Sequence, residues 1–424
     1  LWHQQLVHHD LWDYDLAAPP ALFDIRRQGR VIPAVAQITK MGFLFVFDRV
    51  TGKPVYGVEE RPLAPSLTPG EQNAKTQPWP VKPEPLSKLT LSLEDLYDRS
   101  PEHARFCREL FTSNQMKIAQ GPYVPLPLEG NALFFPSTLG GGNWGGVSIN
   151  PAEDLLYVNI MNVAQWGHME KRGHEWIRTS AYGTYARFWN RETRIPCTNP
   201  PFGELVAVRL STGDVAWRVP LGRIEALEKI GVQNTGALNL GGSITTAGSL
   251  VFIAATNDSY FRAFDSQSGK LLWETKLEAS GHSSPITYLG RDGRQYVVIH
   301  AAGGGGFLGG GSSNTLVAFA LPNLTRKPLP ALVTKAIAAA REAPKGQPRV
   351  GAHAPLNLPP SEARTLVERT CGTGCHSLEV VTSQRLAAAQ WREMVQNMVA
   401  RGARANDAQL EAIITYLSQA LPRE

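Results

Sequence analysis

The feature that most constrains the fold is a ten-residue frame that occurs three times. Phe47-Asp48-Arg49-Val50-Thr51-Gly52-Lys53-Pro54-Val55-Tyr56 matches Val208-Arg209-Leu210-Ser211-Thr212-Gly213-Asp214-Val215-Ala216-Trp217 and Phe264-Asp265-Ser266-Gln267-Ser268-Gly269-Lys270-Leu271-Leu272-Trp273. Each copy reads as a strand, a Thr-Gly or Ser-Gly turn, and a second strand with an aromatic four residues after the glycine. Apolar runs such as Leu250-Val251-Phe252-Ile253-Ala254-Ala255, broken at Thr256-Asn257-Asp258, supply further short strands. Repeated antiparallel strands with a fixed turn and a fixed aromatic suit the blades of a β-propeller, where each sheet must bury its faces against its neighbours. A β-sandwich with coincidental turns is the rival. The interval from Gly52 to Gly213 is far longer than that from Gly213 to Gly269. The Pro-rich residues 62–130, with a helical stretch predicted around Leu93 to Leu110, are therefore expected to be an insertion.

Composition bounds the remainder. In 424 residues of which 43% are hydrophobic, more than one domain can bury a core, and the 39 glycines and 31 prolines agree with many short strands and turns. A net charge of +5 without a dense Lys/Arg tract does not indicate nucleic-acid binding. Basic character would suit docking to an acidic redox partner, although a solvated surface explains it equally. The sequence has no run of 18 apolar residues, so no membrane span is predicted within it. Residues 323–360, rich in Pro, Ala and Lys/Arg with a short helix predicted at Val333 to Arg341, read as a linker. They separate a β part, residues 1–322, from a small all-α unit at 361–424.

That unit contains Cys371-Gly372-Thr373-Gly374-Cys375-His376. Two thiols and an imidazole this close approach the pattern that attaches haem c, with Cys371 and Cys375 as thioether anchors and His376 as an axial iron ligand. The usual pattern has two residues between the cysteines; here there are three, which leaves a zinc site or a disulfide as rivals. A zinc site wants four ligands, and the segment offers three. Trp391, Met394, Val395 and Met398 fall on one helical face. Asn406 with Gln409 resembles a capping box opening a last helix with Leu410, Ile413, Ile414 and Leu417. The ending Trp391, Met398, Gly402-Ala403, Tyr416-Leu417 resembles small c-type cytochrome domains, which makes Met398 the expected sixth ligand and Met394 its alternative. Haem c is attached outside the bacterial cytoplasm, so a periplasmic location is expected. Cys107 and Cys197 remain, and the sequence does not decide whether they pair.

The stretch from Trp2 to Leu16, with His8-His9-Asp10-Leu11-Trp12-Asp13-Tyr14-Asp15, resembles the pyrroloquinoline quinone (PQQ) dehydrogenases, specifically the membrane-type glucose dehydrogenase branch. Further pieces follow in order: Gln37-Ile38-Thr39-Lys40-Met41-Gly42, Gly142-Asn143-Trp144-Gly145-Gly146, and Gly241-Gly242-Ser243-Ile244-Thr245-Thr246-Ala247-Gly248. The resemblance covers about residues 1 to 322 and implies an eight-bladed propeller, of which this chain would hold about half. It is expected to be part of a longer gene product; blades supplied from elsewhere or a smaller closed ring are the other routes. The resemblance also implies Asp10 as the general base, Lys40 beside the quinone oxygens, Asn143, Trp144 and Asn159 at the PQQ site, and a Ca2+ ion. Against these stand plainer roles: a turn-capping Asp10, a solvated Lys40, a blade-packing Trp144.

The resulting expectation is a quinohaemoprotein dehydrogenase that oxidises a sugar or other alcohol and sends electrons singly through haem c to a one-electron acceptor. The alternatives are an electron carrier with a catalytically inactive propeller platform, and a scaffold propeller with a zinc-stapled tail. His8 and His9 read as strand neighbours on opposite faces, so a joint metal site is not expected. Gly303 to Gly306 and Gly309 to Gly311 lack the Lys-Ser/Thr of a phosphate loop and read as a flexible rim loop.

Overall fold

Seven consecutive residues, Leu155–Met161, form one strand that is buried along its whole length. Continuous burial requires a neighbour on each face, and it replaces the usual two-residue alternation with an unbroken apolar run. In the computed structural model, which describes residues 1–184, 186–304, 308–322, 358–371, 381–382, 384–400 and 406–422, both faces of that strand do meet another sheet. The chain forms two units, Leu1–Leu324 and Thr325–Glu424.

The first unit is mainly β and propeller-like. Its first sheet is the meander β1 (Ala21–Arg27), β2 (Arg30–Ile38), β3 (Leu44–Asp48). A hairpin of β4 (Val58–Pro62) and β5 (Thr76–Pro80) follows, then α1 (Pro101–Ser113). The strands β6 (Met116–Ile118), β7 (Asn131–Phe134), β10 (Gln165–Arg172) and β11 (Glu175–Thr179) make a sheet of order β11-β10-β7-β6. Between and after them, β8 (Ser148–Asn150), β9 (Leu155–Met161), β12 (Gly203–Arg209) and β13 (Val215–Pro220) form another, followed by the short helix α2 (Glu225–Glu228). Two further meanders close the unit, β14 (Ser243–Thr246) to β15 (Leu250–Ile253), β16 (Tyr260–Asp265) and β17 (Leu271–Lys276), then β18 (Ile286–Leu289), β19 (Gln295–Ala301) and β20 (Thr315–Phe319).

Side-chain alternation shows how these sheets stack. Leu156, Val158 and Ile160 pack against Ile25, Ala36 and Ile38 of the first sheet. Their neighbours Leu155 and Tyr157 pack the other way, with Val251, Ile253 and Phe264. Phe261 then meets Val297 and Ile299 of the last sheet. Four sheets thus stack face to face in chain order. The sheet of β6, β7, β10 and β11 stands outside the stack with α1 and its own core around Cys107, Leu133, Trp166, Phe188 and Phe202. The insertion expected at 62–130 is therefore only its first portion, because β10 and β11 interrupt the path from β9 to β12 and complete it. The helix expected from Leu93 begins at Pro101 instead: Ser100 is extended, as a residue before proline prefers, so only a short 3-10 turn forms at Leu93–Asp95. Cys107 and Cys197 are disulfide-bonded with Cα atoms 5.2 Å apart. The bond joins α1 to the segment before β12, and closing so long a loop contributes roughly 2–4 kcal/mol.

The recurrent frame explains the stacking. Gly52, Gly213 and Gly269 all have φ between 70° and 78°, and each N–H donates to the carbonyl four residues back. A Cβ on Gly269 would lie 2.7 Å from the Trp217 ring, one on Gly213 would lie 3.0 Å from Tyr56, and one on Gly52 would lie 2.7 Å from Trp2. An aromatic therefore lies on each turn glycine, from the preceding sheet region at Gly213 and Gly269 and from the segment before β1 at Gly52, and it donates there too: Trp217 Nε1 to Ser266 O at 3.0 Å, Trp2 Nε1 to Arg49 O at 3.0 Å, and Tyr56 OH to Leu210 O. A fourth copy of the turn escaped the sequence reading. Asn190 Oδ1 accepts from Glu192 N and Thr193 N at 2.9 and 3.1 Å, as Asp48 does from Val50 N and Thr51 N, but Arg194 (φ 58°) stands where the others have glycine.

In the second unit, α3 (Glu362–Cys371), α4 (Ala388–Ala400) and α5 (Asp407–Ala420) enclose Val367, Trp391, Val395, Ile413, Ile414 and Leu417, with Met394 half-buried at the edge. Asn406 Oδ1 accepts from Gln409 N at 2.9 Å and Gln409 Oε1 accepts from Asn406 N at 3.0 Å, a closed capping box. Cys375, His376 and residues 323–357 of the expected linker lie outside the described residues, as does the side chain of Met398. No helix among the described residues is long and apolar enough to cross a membrane.

Gly269→Ala is expected to lower stability by about 1–3 kcal/mol, since it forces a left-handed φ on alanine and drives Cβ into Trp217. Trp217→Phe should cost about 1 kcal/mol through the lost hydrogen bond. Both are read from denaturant midpoints at unchanged m-value.

Candidate active site

The ends of β2, β9, β15 and β19 and the starts of β8, β14 and β18 lie at one end of the four stacked sheets, as antiparallel pairing requires. Backbones converge there more closely than side chains allow. A Cβ on Gly140 would sit 2.8 Å from Lys40 Cγ, one on Gly141 would sit 2.5 Å from Ser87 Cβ, and one on Gly241 would sit 2.9 Å from His282 O. Only glycine fits such contacts.

Lys40 is 8% exposed at this convergence. Its Nζ donates to Asp13 O at 2.9 Å and pairs with Asp15 Oδ1 at 2.5 Å and Asp13 Oδ2 at 3.4 Å. Its carbonyl accepts from Gly141 N at 2.6 Å, and Gly141 O accepts from Met161 N at 2.8 Å. The lysine is thus a clamp between the 10–15 segment and the glycine strip, rather than a solvated loop residue. Asn143 follows on that strip, with Nδ2 donating to Leu139 O at 2.6 Å and Oδ1 accepting from Trp144 N at 2.7 Å. The Trp144 ring is 50% exposed, so it does not pack a blade. Asn159 is buried on β9, and its Nδ2 donates to Asn239 Oδ1 at 2.7 Å.

Asp10 is exposed, and its two oxygens accept from Trp12 N at 2.8 Å and Tyr14 N at 2.6 Å. The turn-capping role is therefore real. Beneath it, Trp12, Tyr14 and Tyr123 form an aromatic floor, with Trp12 and Tyr123 centroids 5.1 Å apart. Burial pushes the Tyr14 phenol well above its ordinary value, and it donates to Pro136 O at 3.0 Å. His8 and His9 lie in a bend instead of the expected strand: His9 has φ 45°, and His8 Nε2 meets Glu60 Oε1 at 3.1 Å. Among the described residues, the group close enough to share a metal ion is His103, Cys107 and Cys197, and its two sulfurs are bonded to each other.

Sequence reasoning missed several polar groups at this end, because no motif surrounds them. Ser137, Gln165, Asn239 and His282 are the main ones. Gly303 and Gly304 themselves pack here, with a Cβ on Gly304 falling 2.9 Å from His282 Nε2, whereas Gly305 and Gly306 of the expected rim loop lie outside the described residues.

The family model described as "PQQ: Glucose/ethanol/alcohol dehydrogenase, beta-propeller domain" matches residues 1–297. The chain belongs to that family. It is 37% identical over 326 residues to a quinate/shikimate dehydrogenase (quinone) of Acinetobacter baylyi, covering 71% of this chain and 40% of that protein. It is 36% identical over 349 residues to quinoprotein glucose dehydrogenase A of Acinetobacter calcoaceticus, covering 76% and 43%. A solved quinohemoprotein alcohol dehydrogenase of Comamonas testosteroni superposes at TM-score 0.47 with 20% identity, covering 99% of this chain and 55% of that one. The chain spans about two fifths of the length of these two curated relatives.

In this PQQ-dehydrogenase-family chain, His282 offers a stability probe of the convergent end. Burial lowers its pKa from 6.5, outweighing the raising influence of Ala255 and Asp258, and Nε2 contacts Ser280 Oγ at 3.0 Å. The unfolded chain takes up a proton near 6.5 that the folded chain resists, so stability falls as pH drops from 6.5 towards the lowered folded value. Urea midpoints measured between about pH 7 and 5 should decline, and the decline should be shallower in His282→Gln.

Proposed function

We propose that this chain carries the chemistry of a PQQ-dependent dehydrogenase acting on the CH–OH group of a sugar or other polyhydroxylated alcohol, with electrons leaving singly through haem c in the second unit. The observation that carries the reading is the Lys40 clamp, which brings the Asp10 segment, the glycine strip and Asn143 to one end of the stacked sheets. The names of the relatives, covering quinate, glucose and glycerol, support a polyhydroxylated substrate.

The residues fit a flat, multiply anionic cofactor. Beside the glycine strip, Lys40 supplies an ammonium, and Ser137 Oγ and Gln165 Nε2 are buried donors without partners among the described residues. When bound, PQQ supplies a two-electron hydride acceptor. Lys40 would hold its quinone oxygens, and Asn143, Trp144 and Asn159 would flank it. A Ca2+ ion takes oxygen ligands, and Asn159, whose amide nitrogen is engaged by Asn239, keeps its oxygen for that purpose. Each Asp10 oxygen accepts one backbone N–H, and a carboxylate oxygen has a second lone pair. Asp10 can therefore take the substrate hydroxyl proton as general base without giving up its cap, which holds it in place.

For the second unit, the motif begins at Cys371, the last residue described for α3. Bound haem supplies one-electron transfer. Cys371 and Cys375 would anchor it, with His376 and Met398 as axial ligands and Met394 as the alternative to Met398. The location is periplasmic on this reading, and the acceptor is a one-electron carrier.

The test is dye reduction by the chain after reconstitution with PQQ and Ca2+, using a panel of sugars and cyclic polyols. Asp10→Asn should lower the rate about 10²–10⁴-fold with the melting temperature little changed. Absence of activity in the wild-type chain together with absence of PQQ binding would sink the proposal. Independently, a reduced-minus-oxidised spectrum should show a c-type α band that persists in denaturant, and Cys375→Ser should remove one thioether. Met398→Ala should lower the reduction potential and Met394→Leu should leave it in place.

A further inference from the structure

The excursion outside the stack carries a group of metal-ligating side chains that the dehydrogenase chemistry does not use. His103 Nε2 and the sulfurs of Cys107 and Cys197 all lie within 4.8 Å of one another. Their positions come from fixed pieces of backbone. His103 and Cys107 stand four residues apart on one face of α1. Cys197 is held from both sides, since its N–H donates to Phe188 O at 2.8 Å and its carbonyl accepts from Tyr97 N at 3.0 Å. The His103 ring lies edge-on to Tyr97 with centroids 4.6 Å apart, and it is nearly parallel to Phe106 at 6.0 Å. None of these contacts is made by the disulfide, so the three residues keep their supports when it is opened.

The spacing suits a tetrahedral ion. Zinc takes sulfur at about 2.3 Å and nitrogen or oxygen at about 2.0–2.2 Å, which puts neighbouring ligand atoms roughly 3.3–3.6 Å apart. His103 Nε2 is 3.4 Å from Cys107 Sγ and 3.0 Å from Pro196 O, so a fourth donor is already at hand. Charge balance agrees with this. Both cysteines are fully buried, among Tyr97, Leu110, Phe188 and Phe202. Two thiolates and a neutral imidazole cancel the charge of a divalent ion, so a filled site puts no net charge into that apolar core. His103 is half-buried and gives an ion its side of approach.

We propose that His103, Cys107 and Cys197, with Pro196 O, form a site for zinc or a similar thiophilic divalent ion, open when the two cysteines are reduced and closed when they are bonded to each other. A dithiol reductant gives two electrons and two protons to the disulfide and is itself oxidised to a disulfide, leaving two thiols. The ion then takes both sulfurs as thiolates, and their two protons leave to solvent. Pro196 O can only accept, so Nε2 carries the imidazole proton in the bonded state; on metal binding that proton is carried by Nδ1 instead, and the ring stays neutral. The site thereby pins α1 to the segment before β12 in either thiol state.

The experiment is titration of the full chain with Co2+, whose thiolate charge-transfer absorption reports sulfur ligation, followed by displacement with Zn2+. Cys371→Ser and Cys375→Ser remove the thiols of the second unit from the readout, and a phosphine reductant opens the disulfide without adding thiol ligands. The reduced chain is expected to take up one Co2+ with thiolate bands that Zn2+ abolishes, and the oxidised chain none. His103→Gln should weaken Co2+ by more than about tenfold, since losing a ligand costs at least as much as losing a ligand's supporting partner. Zn2+ should raise the melting temperature of the reduced chain and leave that of reduced His103→Gln nearly unchanged. The proposal is overturned if the reduced chain shows no thiolate bands, if the oxidised chain takes up Co2+ equally, or if His103→Gln binds as tightly. A reduced chain that loses its fold and is not restored by Zn2+ overturns it too. None of these readouts depends on PQQ, so they stand or fall apart from the dehydrogenase proposal.

Discussion

The contact on which the first unit depends is an aromatic ring laid over a glycine of the next sheet. Trp217 occupies the space that any side chain at position 269 would need, and its indole N–H is satisfied by Ser266 O in that same neighbour. Tyr56 does this at Gly213, and Trp2, from the segment before β1, lies on Gly52 in the same way. The ring sets the spacing between sheets, and the hydrogen bond sets their register. Because the glycine turn is itself held by a carbonyl four residues earlier, each contact joins two locally rigid pieces. Trp273, the aromatic of the last copy, instead meets Phe319 edge-on at 5.2 Å and stays partly exposed.

Regular stacking has a second consequence at the ends of the strands. Sheets spaced by their outer turns bring their loop ends together on one side, and the chain answers with glycine at 140–142, 145 and 241–242. Lys40 enters this crowded region as a buried cation held by the carbonyl of Asp13 and the carboxylates of Asp13 and Asp15. The Asp10 segment is positioned through that clamp and through the aromatic floor below it. The insertion reaches the same region from outside the stack: Gln165 and Arg187 arrive on the path between β9 and β12. Its disulfide between Cys107 and Cys197 keeps the two halves of that excursion joined.

Much of this was legible in the residues and some was not. The blade frame was visible because turn chemistry and strand alternation are local, needing only Asp, Thr, Gly and an aromatic at set offsets. Its fourth copy at Asn190 was missed because Arg194 adopts the left-handed φ that glycine usually marks, a substitution the turn tolerates. The helical stretch expected around Leu93 to Leu110 begins only at Pro101, with a short 3-10 turn at Leu93–Asp95 before it. His8 and His9 were taken for strand neighbours and lie in a bend. Asp10 and Lys40 were named from the resemblance, whereas Ser137, Gln165 and His282 had no pattern to announce them.

The sequence by itself determined the repeated sheets, the turn glycines, the capping box at Asn406 and the family to which the chain belongs. Each of these is written in short-range chemistry or in long colinear motifs. The tertiary structure alone decided that Cys107 meets Cys197 across ninety positions, that Lys40 clamps the 10–15 segment, and that an insertion brings buried donors to the glycine strip. Those outcomes depend on where loops return after leaving the stack. That is set by face-to-face packing of whole sheets, which no local pattern encodes.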